Sequence, residues 1–146
     1  MARAQAPTVP TEVFLDSSYA IALASPSDLH HVRAVELADQ LERAGTRLIT
    51  TRAVALEIGN SLARQDHRAA ALALLELLES DPTIEVIPLS EPLYQSALDL
   101  FRQRRDKDWG LTDCLSFVVM AQRGLTDALT TDGHFRQAGY RALLRE

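Results

Sequence analysis

The sequence predicts an α/β fold, a three-layer sandwich around a parallel sheet. Short apolar runs alternate with longer segments whose apolar residues recur at three- and four-residue spacing, the pattern of strands joined by helices. Polar or turn-forming residues follow each run, as at Asp16-Ser17-Ser18 and Thr131-Asp132-Gly133. Aromatics make up only 5% of the 146 residues, so the interior must be filled largely by Leu, Ala, Val and Ile, as where helices cover a sheet. Parallel strands imply right-handed crossovers, and ligands then bind beyond the carboxyl ends of the strands.

Taken in order, Val13-Phe14-Leu15 reads as a first buried strand, ending in the polar turn Asp16-Ser17-Ser18. Residues 29–44 form an amphipathic helix with Ala34, Leu37, Ala38 and Leu41 inward, stopped by Gly45. Residues 47–50 are a second strand. Residues 53–63 are helical, with Ala55, Ile58 and Leu62 inward. The clearest helix spans 66–79, with Ala71, Leu74, Leu75 and Leu78 inward, and Asp81-Pro82 breaks it. Residues 84–87 are a third strand. Ser90 caps a helix that runs to about Arg104, with Leu93, Ala97, Leu100 and Phe101 inward. A charged loop follows, then a buried helix from Thr112, its expected cap, to Arg123. Residues 127–130 are a fourth strand, 133–137 one helical turn, and 140–144 a short fifth strand at the sheet edge.

Length and balance fit one domain over residues 12–146, preceded by a loose tail over 1–11 that contains Pro7 and Pro10. That start lacks the apolar stretch of a signal peptide, and no apolar run reaches the ~20 residues of a membrane span, so a cytoplasmic protein is expected. The single cysteine, Cys114, sits in an apolar run and rules out a disulfide framework or a cysteine-rich zinc site. The net charge of −5 weighs against nucleic-acid binding unless several acids gather around divalent ions, which reverse the local sign. Arg102, Arg104, Arg105 and Lys107 form a short basic run, readable as a solvated helix end.

Four acids are the candidates for chemistry: Asp16, Glu57, Asp113 and Asp132. Singly, an aspartate after a strand is ordinarily a helix cap, and one in a first helical turn serves the dipole. Together they converge. Asp16 and Asp132 end the first and fourth strands, and Glu57 and Asp113 lie early in helices that start from the same sheet edge. Four carboxylates without Lys or Arg between them need raised pKa values or a divalent cation. Hard oxygen donors suit Mg²⁺, or Mn²⁺, and such ions act on phosphate esters. Glu57, Asn60, Ser61 and Arg64 share one polar helix edge. His30, His31 and His67 read as surface residues, and His134 as one residue from the site.

The order of these acids, with Leu-Thr-Asp-Cys-Leu-Ser-Phe at 111–117 and Leu-Thr-Thr-Asp-Gly-His-Phe at 129–135, resembles the PIN domain family and most closely its VapC-like toxin branch. The resemblance runs from about Val13 to Leu144. It implies strand order 3-2-1-4-5, Mg²⁺-dependent cleavage of RNA, a protein antitoxin and homodimerisation. It places Asp16, Asp113 and Asp132 as metal ligands, with Glu57 completing the acidic set and Ser17, Asn60, Thr112 and Thr131 as supporting polar groups. Gly133 departs from the bulkier or polar residue common at that place. Physics suggests how an antitoxin would act: its tail lies in an apolar groove near residues 34–41 and 53–62 and carries an arginine to the acids. A receiver domain would need an aspartate after the third strand, where Pro88-Leu89-Ser90 stands, and a haloacid-type phosphatase would need a second acid in Asp16-Ser17-Ser18. A catalytically silent RNA-binding module and a housekeeping nuclease are the alternatives on the same fold.

Overall fold

The computed structural model describes residues 9–146, so most of the expected tail lies outside the described residues. Five strands form one sheet in the order β3-β2-β1-β4-β5, with every pair parallel. They are β1 (Glu12–Leu15), β2 (Arg47–Thr51), β3 (Ile84–Ile87), β4 (Asp127–Leu129) and β5 (Arg141–Ala142). Seven helices connect and cover them: α1 (Ser17–Ala24), α2 (His31–Ala44), α3 (Arg52–Ser61), α4 (Arg68–Ser80), α5 (Glu91–Gln103), α6 (Leu111–Arg123) and α7 (Gly133–Gln137). This is the expected α/β sandwich and strand order. The order reverses at β1, where Phe14 is flanked by Ile49 of β2 and Ala128 of β4.

Val13, Phe14, Ile49, Ala128 and Leu129 are fully buried, as strands covered on both faces require. α1 packs on α2 and α3, α3 on α4, and α5 on α6. Gly45 and Gly124 close α2 and α6 in the left-handed conformation, at φ 67° and 65°. Only glycine takes that geometry without a Cβ penalty, which explains both stops.

Several expectations are corrected. Ser17-Ser18 is no turn but the start of α1, whose small and apolar residues face the protein on several sides and so show no clean amphipathic period. α2 and α4 each begin two residues later than expected, at His31 and Arg68, and Leu29 is 92% exposed. Phe101 is exposed rather than inward. The cap of α6 is Gly110, not Thr112. The fifth strand is only Arg141–Ala142, followed by a 3-10 turn over Leu143–Arg145. His30 and His31 are half-buried, and His31 Nδ1 lies 2.7 Å from the Ala22 carbonyl, tying α2 to α1.

Five of the aromatics form one cluster, Phe14, Trp109, Phe117, Phe135 and Tyr140. Phe117 stacks edge-on against Phe135, with ring centroids 5.0 Å apart, and Trp109 against Phe117 at 4.9 Å. Phe135 also meets Phe14 of β1 at 6.2 Å. Such pairs add about 0.5–1.5 kcal/mol each beyond their buried area. Phe117 lies one turn after Asp113, and Phe135 three residues after Asp132, so this cluster sets where both acids stand.

Candidate active site

Asp16 leaves β1 with its backbone N–H still in the ladder, donating to the Leu129 carbonyl at 3.1 Å. Its carboxylate is buried. Oδ2 accepts hydrogen bonds from Thr130 and from Ser18, each at 2.8 Å. Ser18 Oγ also accepts the Thr131 N–H at 3.0 Å, and Thr130 Oγ1 accepts the Asp132 N–H at 3.0 Å. The ends of β1 and β4 are thus stitched together by hydroxyls around one carboxylate. Burial pushes the Asp16 carboxyl above its ordinary value, opposed by the Thr130 and Ser18 hydrogen bonds and assisted by the nearby Asp113 charge.

Glu57 comes from the middle of α3, a helix that Thr51 starts by accepting the Val54 N–H at 3.2 Å. Ser17 Oγ donates to Glu57 Oε1 at 3.0 Å. Its carboxyl is also raised, first by burial and then by the charges of Asp16, Asp113 and Asp132, against the Ser17 hydrogen bond. Glu57 therefore feels the charges of the other three acids.

Asp113 stands in the first turn of α6, where its Oδ2 accepts the Gly110 N–H at 3.1 Å. Asp132 caps α7 by accepting the His134 N–H at 2.9 Å. That cap turns the His134 ring back onto the acids: Nδ1 lies 3.1 Å from Asp113 Oδ2 and 3.4 Å from Asp132 Oδ1. Donor atoms of Asp113, Asp132 and His134 lie within 4.8 Å of one another. Two carboxylates and an imidazole form a donor set that fits a divalent cation. Asp16 and Glu57 lie outside that closest group of donors and contribute charge to it. Among the described residues, no Lys or Arg forms an ion pair with any of the four acids, and His134 is the basic side chain that lies within 4.0 Å of two of them.

The supporting residues fare unequally. Ser17 meets Glu57. Thr131 lies in the site loop, but through its backbone, its N–H donating to Ser18 and its carbonyl accepting from Arg145 at 2.9 Å. Thr112 offers its carbonyl to Ser116 at 3.1 Å, and Asn60 is exposed on α3. Ser18, Thr130 and the close placement of His134 are additions. Their signal was present only in the motif Leu129 to Phe135 and in the Ser-Ser pair after Asp16. Cys114 is buried behind Asp113, and burial raises its thiol pKa.

A family model for the PIN domain matches residues 13–139. The chain belongs to the PIN domain family. Within it, the chain is 27% identical over 129 residues to the 23S rRNA-specific endonuclease VapC20 of Mycobacterium tuberculosis, in strains CDC 1551 and H37Rv, covering 88% of this chain and 95% of the relative. The crystal structure of that VapC20, described as a sarcin-ricin loop cleaving toxin, shares the PIN fold with a TM-score of 0.76 at 24% identity over 88% of this chain and 95% of the other. FitAcB from Neisseria gonorrhoeae shares it at a TM-score of 0.63 and 19% identity, over 89% and 94% of the two chains.

Proposed function

We propose that this PIN domain, over residues 12–146, is a metal-dependent endoribonuclease and the toxin of a toxin–antitoxin pair. The observation that carries the reading is the gathering of Asp16, Glu57, Asp113 and Asp132 at the carboxyl end of the sheet with no paired arginine or lysine. Such a cluster is costly unless a cation occupies it. Support for RNA as substrate comes from the relative named a 23S rRNA-specific endonuclease, and ribosomal RNA is the first substrate to test.

In this reading Asp113 and Asp132 hold Mg²⁺ or Mn²⁺, with His134 beside them and Asp16 completing the charge. The ion supplies electrophilic activation of the scissile phosphate and of the attacking water. Glu57, raised above its ordinary value, accepts a proton from that water and is oriented by Ser17. Hydrogen bonds from Thr130 and Ser18 favour the ionised form of Asp16 against its burial and fix it in the strand end. In-line attack leaves a 5′-phosphate and a 3′-hydroxyl.

The protein acts in the cytoplasm as a homodimer, restrained by an antitoxin. The groove expected between residues 34–41 and 53–62 lies instead between α1, α2 and α4, with only Ile58 from α3: an apolar cavity of about 510 Å³ lined by Tyr19, Leu23, Ala38, Leu41, Leu74 and Leu78 fits the antitoxin tail. Among the described residues, no helix is long and apolar enough to cross a membrane.

The test is cleavage of ribosomal RNA by the purified protein with and without Mg²⁺. Activity is expected with the ion, lost in EDTA and restored by Mg²⁺. Cleavage undiminished in excess EDTA overturns the reading. RNA binding without cleavage under any divalent ion favours the silent binding module instead.

A further inference from the structure

Most arginines of this acidic chain are matched to a carboxylate, as in Arg43 with Asp39, Arg52 with Glu79, Arg104 with Asp106 and Arg123 with Glu85. Arg145, in the turn after β5, is not. Its side chain is exposed, and its Nη1 donates to the Thr131 carbonyl at 2.9 Å. Among the described residues, no carboxylate lies within ion-pair distance of it. Arg136 braces the turn by donating from Nη2 to the Arg145 carbonyl at 3.0 Å.

The Thr131 carbonyl positions this guanidinium, which lies over Gly133. A Cβ built at Gly133 would meet Arg145 Cζ and Nη1 at 3.9 Å, so the cation lies across the residue between Asp132 and His134. A larger side chain at 133 would share that space. Held by a carbonyl, Arg145 spends one donor on position and keeps its charge uncompensated. It is held on the Thr131–Gly133 segment, which carries Asp132 and leads into His134.

An acidic site that takes a polyanion needs a cation at its edge, because bound ions neutralise the reacting phosphate but not its neighbours. Arginine suits this role, since its planar fork can pair two phosphate oxygens while one donor stays tethered. We propose that Arg145, tethered to the Thr131 carbonyl beside Asp132, binds a backbone phosphate of the RNA flanking the scissile bond. This rests on the reading of the protein as a ribonuclease and names a substrate-binding residue for it.

Binding of a fluorescein-labelled single-stranded RNA oligonucleotide to the full chain, in EDTA and at several salt concentrations, tests the proposal. Arg145→Gln should weaken binding roughly tenfold and make the slope of log affinity against log salt shallower by about 0.7. Arg145→Lys should restore the slope. Arg43→Gln, in the last turn of α2, should leave both unchanged. Melting curves establish that the variants are folded. A wild-type slope for Arg145→Gln overturns the proposal even if affinity falls, since Arg145 would then only prop the Thr131 loop. Equal losses for Arg145→Gln and Arg43→Gln overturn it as well, by reducing the effect to net charge. Failure of the ribonuclease reading shows separately, as wild-type protein that does not cleave RNA with Mg²⁺.

Discussion

Thr130 donates its hydroxyl hydrogen to Asp16 Oδ2 at 2.8 Å, a buried bond between the ends of two neighbouring parallel strands. Thr130 Oγ1 in turn accepts the Asp132 N–H at 3.0 Å, so one hydroxyl orders two of the four acids. Thr130→Val keeps the shape and removes both bonds. A buried polar group left without its partner costs about 1–3 kcal/mol. The hydrogen bond lowers the Asp16 pKa, so its loss raises that pKa further above 3.8. Below the unfolded-state value Asp16 is protonated in both states and the ionised form is not at stake. The destabilisation should therefore be larger at pH 7 than near pH 3.5, which urea unfolding at the two pH values checks.

Asp16→Asn should separate stability from activity. The folded-state pKa of Asp16 is raised, so the folded protein favours the protonated form more than the unfolded chain does. Its ionisation thus costs stability as pH rises from the unfolded value through the folded one, and the cost is full above that. In EDTA at neutral pH the Asn variant should melt no lower than wild type, and its advantage should disappear toward acid pH. Ribonuclease activity should nonetheless fall by at least about 100-fold, the upper range for losing a group that supports a bound metal. A variant much less stable than wild type at neutral pH would make Asp16 a structural group.

His134→Ala addresses the donor set. Imidazole suits Mn²⁺ better than it suits Mg²⁺, whereas carboxylates serve both. With Nδ1 3.1 Å from Asp113 Oδ2, His134 is placed to share an ion with that acid. Mn²⁺ affinity should fall roughly 10-fold or more, and Mg²⁺ affinity by less. Isothermal titration with each ion measures the difference. Equal losses would assign His134 to orienting Asp113 and Asp132 rather than to the ion.

β1 and β4 were legible because each is a short run buried on both faces, as at Val13-Phe14-Leu15, whereas β5, two residues with Arg141 exposed, was overdrawn. The acids were legible because they follow strands or open helices. The groups that hold them were not. Ser18 and Thr130 lie 112 residues apart in the chain, and Thr130 and Asp16 lie 114 apart; those contacts exist only once β1 and β4 are neighbours. His134 faces the acids because Asp132 caps a five-residue helix, a turn geometry that spacing alone does not convey. Thr112 has the chemistry of a cap, yet Gly110 holds that position with its N–H taken by Asp113. Asn60 has the right spacing from Glu57 but the exposed side of α3.

An antitoxin that occupies the apolar cavity and carries an arginine to the acids should compete with the metal. The cavity extends from α2 and α4 to Leu15, the residue before Asp16, and to Tyr19 and Ala20 of α1. A tail lying in it would bury apolar side chains against Leu41, Leu74 and Leu78 and could reach the acids past the start of α1. There a guanidinium can pair two carboxylates, the same charge that the cation neutralises. Affinity for the antitoxin should therefore fall as Mg²⁺ rises through the range that saturates the site. Salt should weaken binding less than at a purely surface contact, because a partly buried pair is less screened. Leu41→Glu would place a charge in the apolar groove and should weaken antitoxin binding far more than it weakens RNA cleavage. Antitoxin affinity measured against Mg²⁺ concentration decides the matter. A value that does not change across saturation would mean that the tail stops short of Asp16 and Asp113, and that inhibition acts by blocking RNA access elsewhere.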